Sequence, residues 1–355
     1  MSTHLSLADA GFQKLKDYNE WHPSPSPCYG LEMAALFGGA RNPAACVVVD
    51  EATKQVCSTC NGFVEWWLSV VGLPSQADAY WRRLDHCYGT LMSQSQYEQI
   101  DRPLVYLPPV YAGWNMGHDL SVLLVTILAF RRAVQEEVSH GQPQEKVALG
   151  VSQSTLRRSP NSLAILNAFV PQNRIVELVP NLPYRFSSLI APPCCFFHLH
   201  REALVAPMVD HLVVTAKSSP VIQSIWNPVI EHCEGKFVLC KRSSHAAVRR
   251  QGIMPAWVEQ ALQQNGWFIL DPEQAGIFEM IYLLQNASTL LLGSGAIQYT
   301  HKIFVSRQAI IHLLFDNPNY PVYSGHTEIR HRIPERDWDN DSHWRRLLDK
   351  LRVVG

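Results

Sequence analysis

The sequence predicts an α/β protein built on parallel sheets, and three observations carry that prediction. Strand-length apolar runs alternate with helical patterns along most of the chain, the mark of βαβ units. The runs end abruptly on Pro, Gly or charged residues, as Phe237-Val238-Leu239-Cys240 ends on Lys241-Arg242. At 355 residues the chain is long enough for two domains with sizeable cores.

Taken in order, the first elements are mixed. Pro23-Ser24-Pro25-Ser26-Pro27 reads as a turn or extended linker, because proline fixes φ and donates no hydrogen bond. Val47-Val48-Val49 suits a short strand. Phe63 to Gly72 and Ala77 to Tyr88 have helical spacing, with Trp66, Trp67 and Trp81 as core candidates. Leu104-Val105-Tyr106-Leu107 is a strand, followed by Pro108-Pro109, a polar loop from Gly113 to Asp119, and a buried helix from Leu120 to Ala133. Within that loop-to-helix junction Asp119 suits a helix cap, and His118 either a core position or a group presented to a crevice. Val147 to Val151, Arg174 to Leu178 and Ser188 to Ala191 are strands, with a helix over Asn161 to Phe169.

A shift in composition at Pro192-Pro193, ahead of a helical run from Arg201 to His211, marks a domain border near residue 200. Ser218 to Gly235 reads as a joining segment. Beyond it come a strand over Phe237 to Cys240, a helix over Pro255 to Asn265 and a strand over Trp267 to Leu270. A helix over Gln274 to Asn286 leads to strands over Ser288 to Leu292 and Ala309 to Phe315. The expected domains are therefore 1–200 and 201–330, with a helical tail over 331–355 that has Trp344, Leu347, Leu348 and Leu351 on one stripe and could pack back on the first domain.

Composition narrows the function. The apolar fraction of 47% is that of a globular protein, and a formal charge of -1 gives no reason to expect nucleic acid or an anionic membrane as partner. The first residues hold no apolar core of signal-peptide length, and the run from Leu120 to Phe130 falls far short of the ~20 residues of a spanning helix. A cytoplasmic protein with at most peripheral membrane association is expected. Nine scattered cysteines do not suggest a disulfide framework. Cys57-Ser58-Thr59-Cys60 could be a redox pair or half a zinc site, and Cys194-Cys195 with His198 and His200 is a second soft-ligand cluster, but a structural zinc needs four ligands.

In parallel sheets ligands bind beyond the carboxyl ends of the strands. There stand Lys241 and Arg242, with Arg249-Arg250 close behind, and Gly293-Ser294-Gly295-Ala296 after another strand. Arginine's planar fork matches phosphate oxygens, and backbone N–H groups around the glycines favour an anion. The two loops together point to a diphosphate. Gly293-Ser294-Gly295 is neither a dinucleotide GxGxxG, since Gln298 stands where the third glycine belongs, nor a P-loop, since no Gly-Lys-Ser/Thr follows.

The order of these segments resembles glycosyltransferase family 61 over roughly residues 104 to 316. The segments are Lys241-Arg242 at a strand end, Arg249-Arg250, Gly266-Trp267-Phe268-Ile269-Leu270-Asp271-Pro272-Glu273, Phe278-Glu279-Met280-Ile281 and Gly295-Ala296. Asn115-Met116-Gly117-His118 is similar to that family's Asn-x-x-His at the head of a helix, and Asn173 to Leu178 with Leu189 to Pro192 also matches. The resemblance implies two Rossmann-like domains facing a cleft (GT-B-like). It implies transfer of a sugar from a nucleotide-sugar, usually UDP-linked, with inversion and without a required metal or other cofactor. The nucleotide-sugar and a glycan or glycoconjugate acceptor are then the partners.

By the same resemblance Arg242 and Arg249 hold the donor diphosphate with Lys241 nearby. Gly295 and Ala296 shape the diphosphate loop, beside the glycine-flanked Ser294 already placed there as a donor contact, and Glu279 faces the nucleotide or its ribose. Asn115 and His118 lie on the acceptor side. Two positions depart from the family pattern. Its loop histidine is Ser294 here and the next glycine is Ile297, and the acid often found four residues after the helix-head histidine is Val122. His118 or Asp119 is then the candidate base. A catalytically inactive binding or scaffold protein on the same fold is the alternative, and an unrelated nucleotide-dependent α/β enzyme is disfavoured by the missing GxGxxG.

Overall fold

The structure is a computed structural model. It describes residues 13–14, 23–24, 28–33, 45–50, 55–58, 88–107, 116–139, 146–158, 160–190, 202–239, 254–271, 275–293, 301–314, 327–331 and 340–353. The chain divides into two compact units, Met1–Leu199 and His200–Gly355, and each carries parallel strands with helices between them. The protein is α/β.

The first unit opens with β1 (Gln13–Lys14), β2 (Pro23–Ser24), β3 (Cys28–Met33), β4 (Ala45–Asp50) and β5 (Gln55–Ser58). Next come β6 (Glu98–Ile100), β7 (Leu104–Leu107), α1 (Met116–Ser139) and β8 (Ala148–Ser152). The unit closes with α2 (Gln153–Arg158), α3 (Pro160–Phe169), β9 (Ile175–Leu178), β10 (Pro183–Phe186) and β11 (Leu189–Ile190). A mixed sheet has the order β1-β5-β4-β3-β10-β6. A second sheet has the order β2-β11-β7-β8-β9, in which β11, β7, β8 and β9 run parallel and β2 antiparallel.

Every residue of β7 and β8 is buried, so both read as unbroken apolar runs rather than alternating ones. Gly150 packs closely in β8, since a Cβ there would lie 2.6 Å from Cδ2 of the buried Leu104, which would have to shift. The core between the strands gathers Ile100, Leu104, Tyr106, Leu178, Tyr184 and Phe186. Each such side chain contributes about 1.5–3 kcal/mol through burial. The helix expected over 63–72 lies outside the described residues, as does the one expected over 77–88 except for Tyr88, which is helical.

The second unit contains α4 (Glu202–Lys217), α5 (Pro220–Cys233), β12 (Lys236–Leu239), α6 (Ala256–Gln264) and β13 (Phe268–Ile269). It continues with α7 (Ile277–Gln285), β14 (Thr289–Leu292), β15 (Ile310–Leu313), β16 (Thr327–Arg330) and α8 (Asp341–Lys350). Its sheet is parallel throughout, in the order β13-β12-β14-β15-β16. Trp226 of α5 meets Phe268 edge-on, and Phe268 meets Phe237 in the same way.

Two expectations are corrected here. The segment 218–235 is not a mere joiner, because most of it is helix α5. The side chain of Ser219 accepts a hydrogen bond from the Ile222 amide, and Pro220 occupies the first turn, where a missing N–H costs nothing. The helix ends with Glu234 and Gly235 at positive φ, and the Gly235 N–H donates to the Ile230 carbonyl. A Cβ at Gly235 would also lie 2.7 Å from the Asn286 carbonyl oxygen, so both conformation and space demand glycine. Pro228 inside the helix hides the element from a sequence reading.

The second correction concerns the tail. The apolar stripe of helix α8, expected as a separate tail, is buried within the second unit. Trp344, Leu347 and Leu348 are buried against Val258 and Leu262 of α6 and against Val238 and Leu291 of the sheet. Asn340 caps the helix through the Ser342 amide, and the Trp257 indole N–H donates to Asp341. Residues 340–353 are part of the second unit's core, not an appendage.

Candidate functional site

Each unit has a sheet with a switch point, where the chain order of the strands reverses. In the second unit the chain order of strands is reversed between β12 and β14, since β13 lies on one side of β12 while β14, β15 and β16 follow on the other. An open parallel sheet leaves a crevice at the carboxyl ends of the strands where the order reverses. Leu239 and Leu292 are register partners at the ends of β12 and β14, and the Gly293 N–H donates to the Leu239 carbonyl at 3.2 Å. The chain thus leaves both strands side by side. Lys241 and Arg242 begin two residues beyond Leu239, and Ser294 two residues beyond Leu292. Lys241, Arg242, Arg249, Ser294, Gly295 and Ala296 themselves lie outside the described residues.

Both ends of the loop after β14 are pinned. One end is the Gly293 bond just given. At the other stands a 3-10 turn, His301–Phe304, whose Lys302 is buried in an ion pair with Glu328 of β16. The Gln285 side chain donates to the Phe304 carbonyl at 2.7 Å, and the Ser306 amide to the Leu284 carbonyl, which tie the turn to α7. Arg330 approaches the second oxygen of Glu328 at 3.6 Å.

Glu279 is the one candidate whose side chain is described. It sits in the first turn of α7, on the chain that follows β13, the neighbour of β12. One carboxylate oxygen accepts from the Gly276 amide at 2.7 Å and the other from the Trp226 indole N–H at 3.3 Å. A carboxylate that satisfies an orphan amide of its own helix start has a structural role at that position, favoured further by the helix dipole.

The first unit has its own switch point. Strand β7 pairs with β8 on one side and with β11 on the other, and all three run parallel. The chain leaving β7 reaches α1, whose first turn holds His118 and Asp119. These two residues therefore follow the carboxyl end of a switch-point strand at a helix N-terminus, where partial positive charge favours an anionic group. Asn115 lies outside the described residues. Val122, one turn further along α1, is 3% exposed and belongs to the core.

Sequence reasoning missed Lys302, Glu328 and the buried pair His312 and His331. The ring nitrogens of that pair lie 2.9 Å apart and the rings are stacked. No spacing motif announces either pair, because the partners meet only when β15, β16 and the 3-10 turn are assembled. Among the described residues no group of His, Cys, Asp and Glu is placed to hold a metal ion. Cys60, Cys194, Cys195, His198 and His200 lie outside them. The sequence carries two overlapping Asp-x-Asp patterns, Asp337-Trp338-Asp339 and Asp339-Asn340-Asp341, of which Asn340 and Asp341 serve the start of α8. Among the described residues no helix is long and apolar enough to cross a membrane.

A scan of the sequence against protein-family models finds no match, and a search of curated proteins finds no significant one.

Proposed function

We propose that the chain is an inverting, metal-independent glycosyltransferase that moves a sugar from a nucleotide-sugar, UDP-linked by preference, to a hydroxyl of a glycan or glycoconjugate acceptor. The GT-B-like arrangement of two Rossmann-like domains and a cytoplasmic location belong to the same proposal. One observation supports it: in the order β13-β12-β14-β15-β16 the ends of β12 and β14, which precede Lys241-Arg242 and Ser294-Gly295 in the chain, are neighbours at the switch point.

In this reading Arg242 and Arg249, with Lys241 nearby, stabilise charge that develops on the leaving diphosphate, while Ser294, Gly295 and Ala296 offer backbone N–H groups to it. Glu279 orders the start of the neighbouring helix beside the nucleotide. His118 or Asp119 removes the acceptor's proton from within ~3 Å, with Asn115 orienting the acceptor. Binding of the donor needs no metal if the arginines neutralise the diphosphate.

A second reading, a glycosyltransferase-like binder without turnover, is favoured by one specific observation. The position four residues after His118 is the buried Val122, so that position offers no acid to a substrate.

The test is a thermal-shift series with UDP, GDP, CDP and CMP on the wild type and on Arg242→Ala. A nucleotide at ~100 times its dissociation constant adds about 2.7 kcal/mol to stability. The expected result is a rise in Tm with one diphosphate that Arg242→Ala abolishes. Hydrolysis of the matching sugar-nucleotide separates enzyme from binder. If no nucleotide shifts the wild type, the donor site is wrong.

A further inference from the structure

We infer that the first unit carries a docking groove for an extended peptide segment bearing lysine or arginine, which adds as a strand to the edge of β6 that no described strand pairs with. The inference is independent of glycosyl transfer, because the groove lies wholly in the first unit and shares no residue with the candidate donor site.

Three observations meet at this place. The first is a cavity of about 650 Å³ lined by β6, by β9 and by the turn that follows β9. The second is that, among the described residues, both strands end their sheets: β6 is last in the mixed sheet, and β9 is last in the sheet that contains β7 and β8. In a parallel ladder successive residues turn their main-chain groups to opposite sides. The Ser187 amide donates to the Ile100 carbonyl at 3.0 Å, so Ile100 faces β10 and Gln99 directs its N–H and C=O to the outer edge. An incoming strand would find its donor and acceptor there, and its alternate side chains would cover the apolar walls. Those walls include Val179 and Leu182, which are 40% and 37% exposed.

The third observation is charge. Among the described residues, Glu98, Asp101 and Glu177 line the cavity against one cation, Arg102. These three carboxylates and one guanidinium sum to -2, which selects a cationic segment. The site is also held in shape. The Val179 amide donates to the Tyr184 hydroxyl at 2.8 Å, Asn181 takes positive φ at the turn, and the Gln153 side chain donates to Glu177 at 2.5 Å. The wall is thus fixed before any ligand arrives, which limits the ordering cost of binding.

The experiment measures anisotropy of labelled peptides with the full chain. The probes are a short alternating Lys-Val peptide, its Glu-Val counterpart, and a Lys-Val peptide N-methylated at alternate amides. The Lys-Val peptide should bind saturably, and the Glu-Val peptide about tenfold or more weaker. N-methylation of the pairing amides should weaken binding by about tenfold, the loss expected when main-chain hydrogen bonds are removed. The double substitution Glu98→Lys with Asp101→Lys should reverse the charge preference, and Val179→Asp should weaken both peptides. Absence of saturable binding would show an edge that is merely protected by its charges, and would overturn the inference. Equal affinity for the two charge types, indifference to N-methylation, or indifference to the Glu98/Asp101 substitutions would each overturn it too.

Discussion

The two units solve the same packing problem with different interiors. Among the described residues, the buried polar side chains of the first unit are Thr126, Ser152 and Ser162, all small hydroxyls. In the second unit they are Asp271, Lys302, His312 and His331, together with the Glu328 side chain, all titratable. A hydroxyl is satisfied locally, as Thr126 donates to the Val122 carbonyl one turn back in its own helix. A buried charge has to be met by a partner from another element, because the cost of taking it from water is several kcal/mol. The first unit therefore holds its sheet by apolar burial. The second ties β15, β16 and the turn after the candidate donor loop together through specific ion and imidazole contacts. Charge in that interior is the cost of holding one loop end in place.

The largest effect that can break this comparison is at the Lys302–Glu328 pair, whose side chains are 2% and 5% exposed. Glu328→Leu should destabilise the second unit by about 3–5 kcal/mol, since it strands a buried ammonium. The double variant Lys302→Met with Glu328→Leu should recover most of that loss. Urea unfolding followed by hydrogen exchange in residues 200–355 checks both. Equal losses in the single and double variants would mean that packing, not charge, sets the stability there.

A smaller effect is expected from apolar truncation, where the two units should behave alike. Leu348→Ala, which opens the contact of α8 with α6, should cost about 2–5 kcal/mol, and Leu178→Ala in the first unit should fall in the same range. Loss of exchange protection in α6 on truncating Leu348 is the readout that places α8 in the second unit's core.

The smallest effect concerns pH and distinguishes the units again. Burial pushes His331 down to about 4 from 6.5, helped by the nearby His312 and Lys350, and burial lowers His312 as well. Both imidazoles are neutral in the folded protein near pH 7. As pH falls through 6.5 the unfolded chain takes up protons that the folded one refuses, so stability declines until pH about 4 and levels off below it. The second unit's urea midpoint should fall across that window. His312→Leu with His331→Leu should flatten the profile in that unit.

Much of the fold was legible in advance because it was written in local pattern. The buried parallel strands β7, β8, β12, β14 and β15 are apolar runs, and α1, α3, α6, α7 and α8 have helical spacing or clear stops. Other elements were not legible, for physical reasons that differ. Strand β16 is Thr-Glu-Ile-Arg, whose only large charge-free side chain is Ile329, and its glutamate is buried by an ion pair that no spacing foretells. Strand β6 is Glu-Gln-Ile, with polar residues on both faces, β10 alternates Pro and Arg with Tyr and Phe, and both are short. Helix α5 contains Pro228. Of the candidate site, the positions of Lys241-Arg242 and Ser294-Gly295 after strands could be read, and so could Glu279 in a helix start. Its bonds to Gly276 and Trp226 could not, because Trp226 lies far off in the chain on a helix that was not foreseen.

By itself the sequence determined the α/β class, the elements that bury apolar runs, and which residue types stand after which strands. These follow from hydrophobic period and turn chemistry, which act over a few residues. Only the tertiary structure decided that β12 and β14 are neighbours, that α8 belongs to the second unit, and that Lys302 meets Glu328 and His312 meets His331. Strand order and buried pairing depend on contacts between segments distant in the chain, and a local pattern carries no record of its partner.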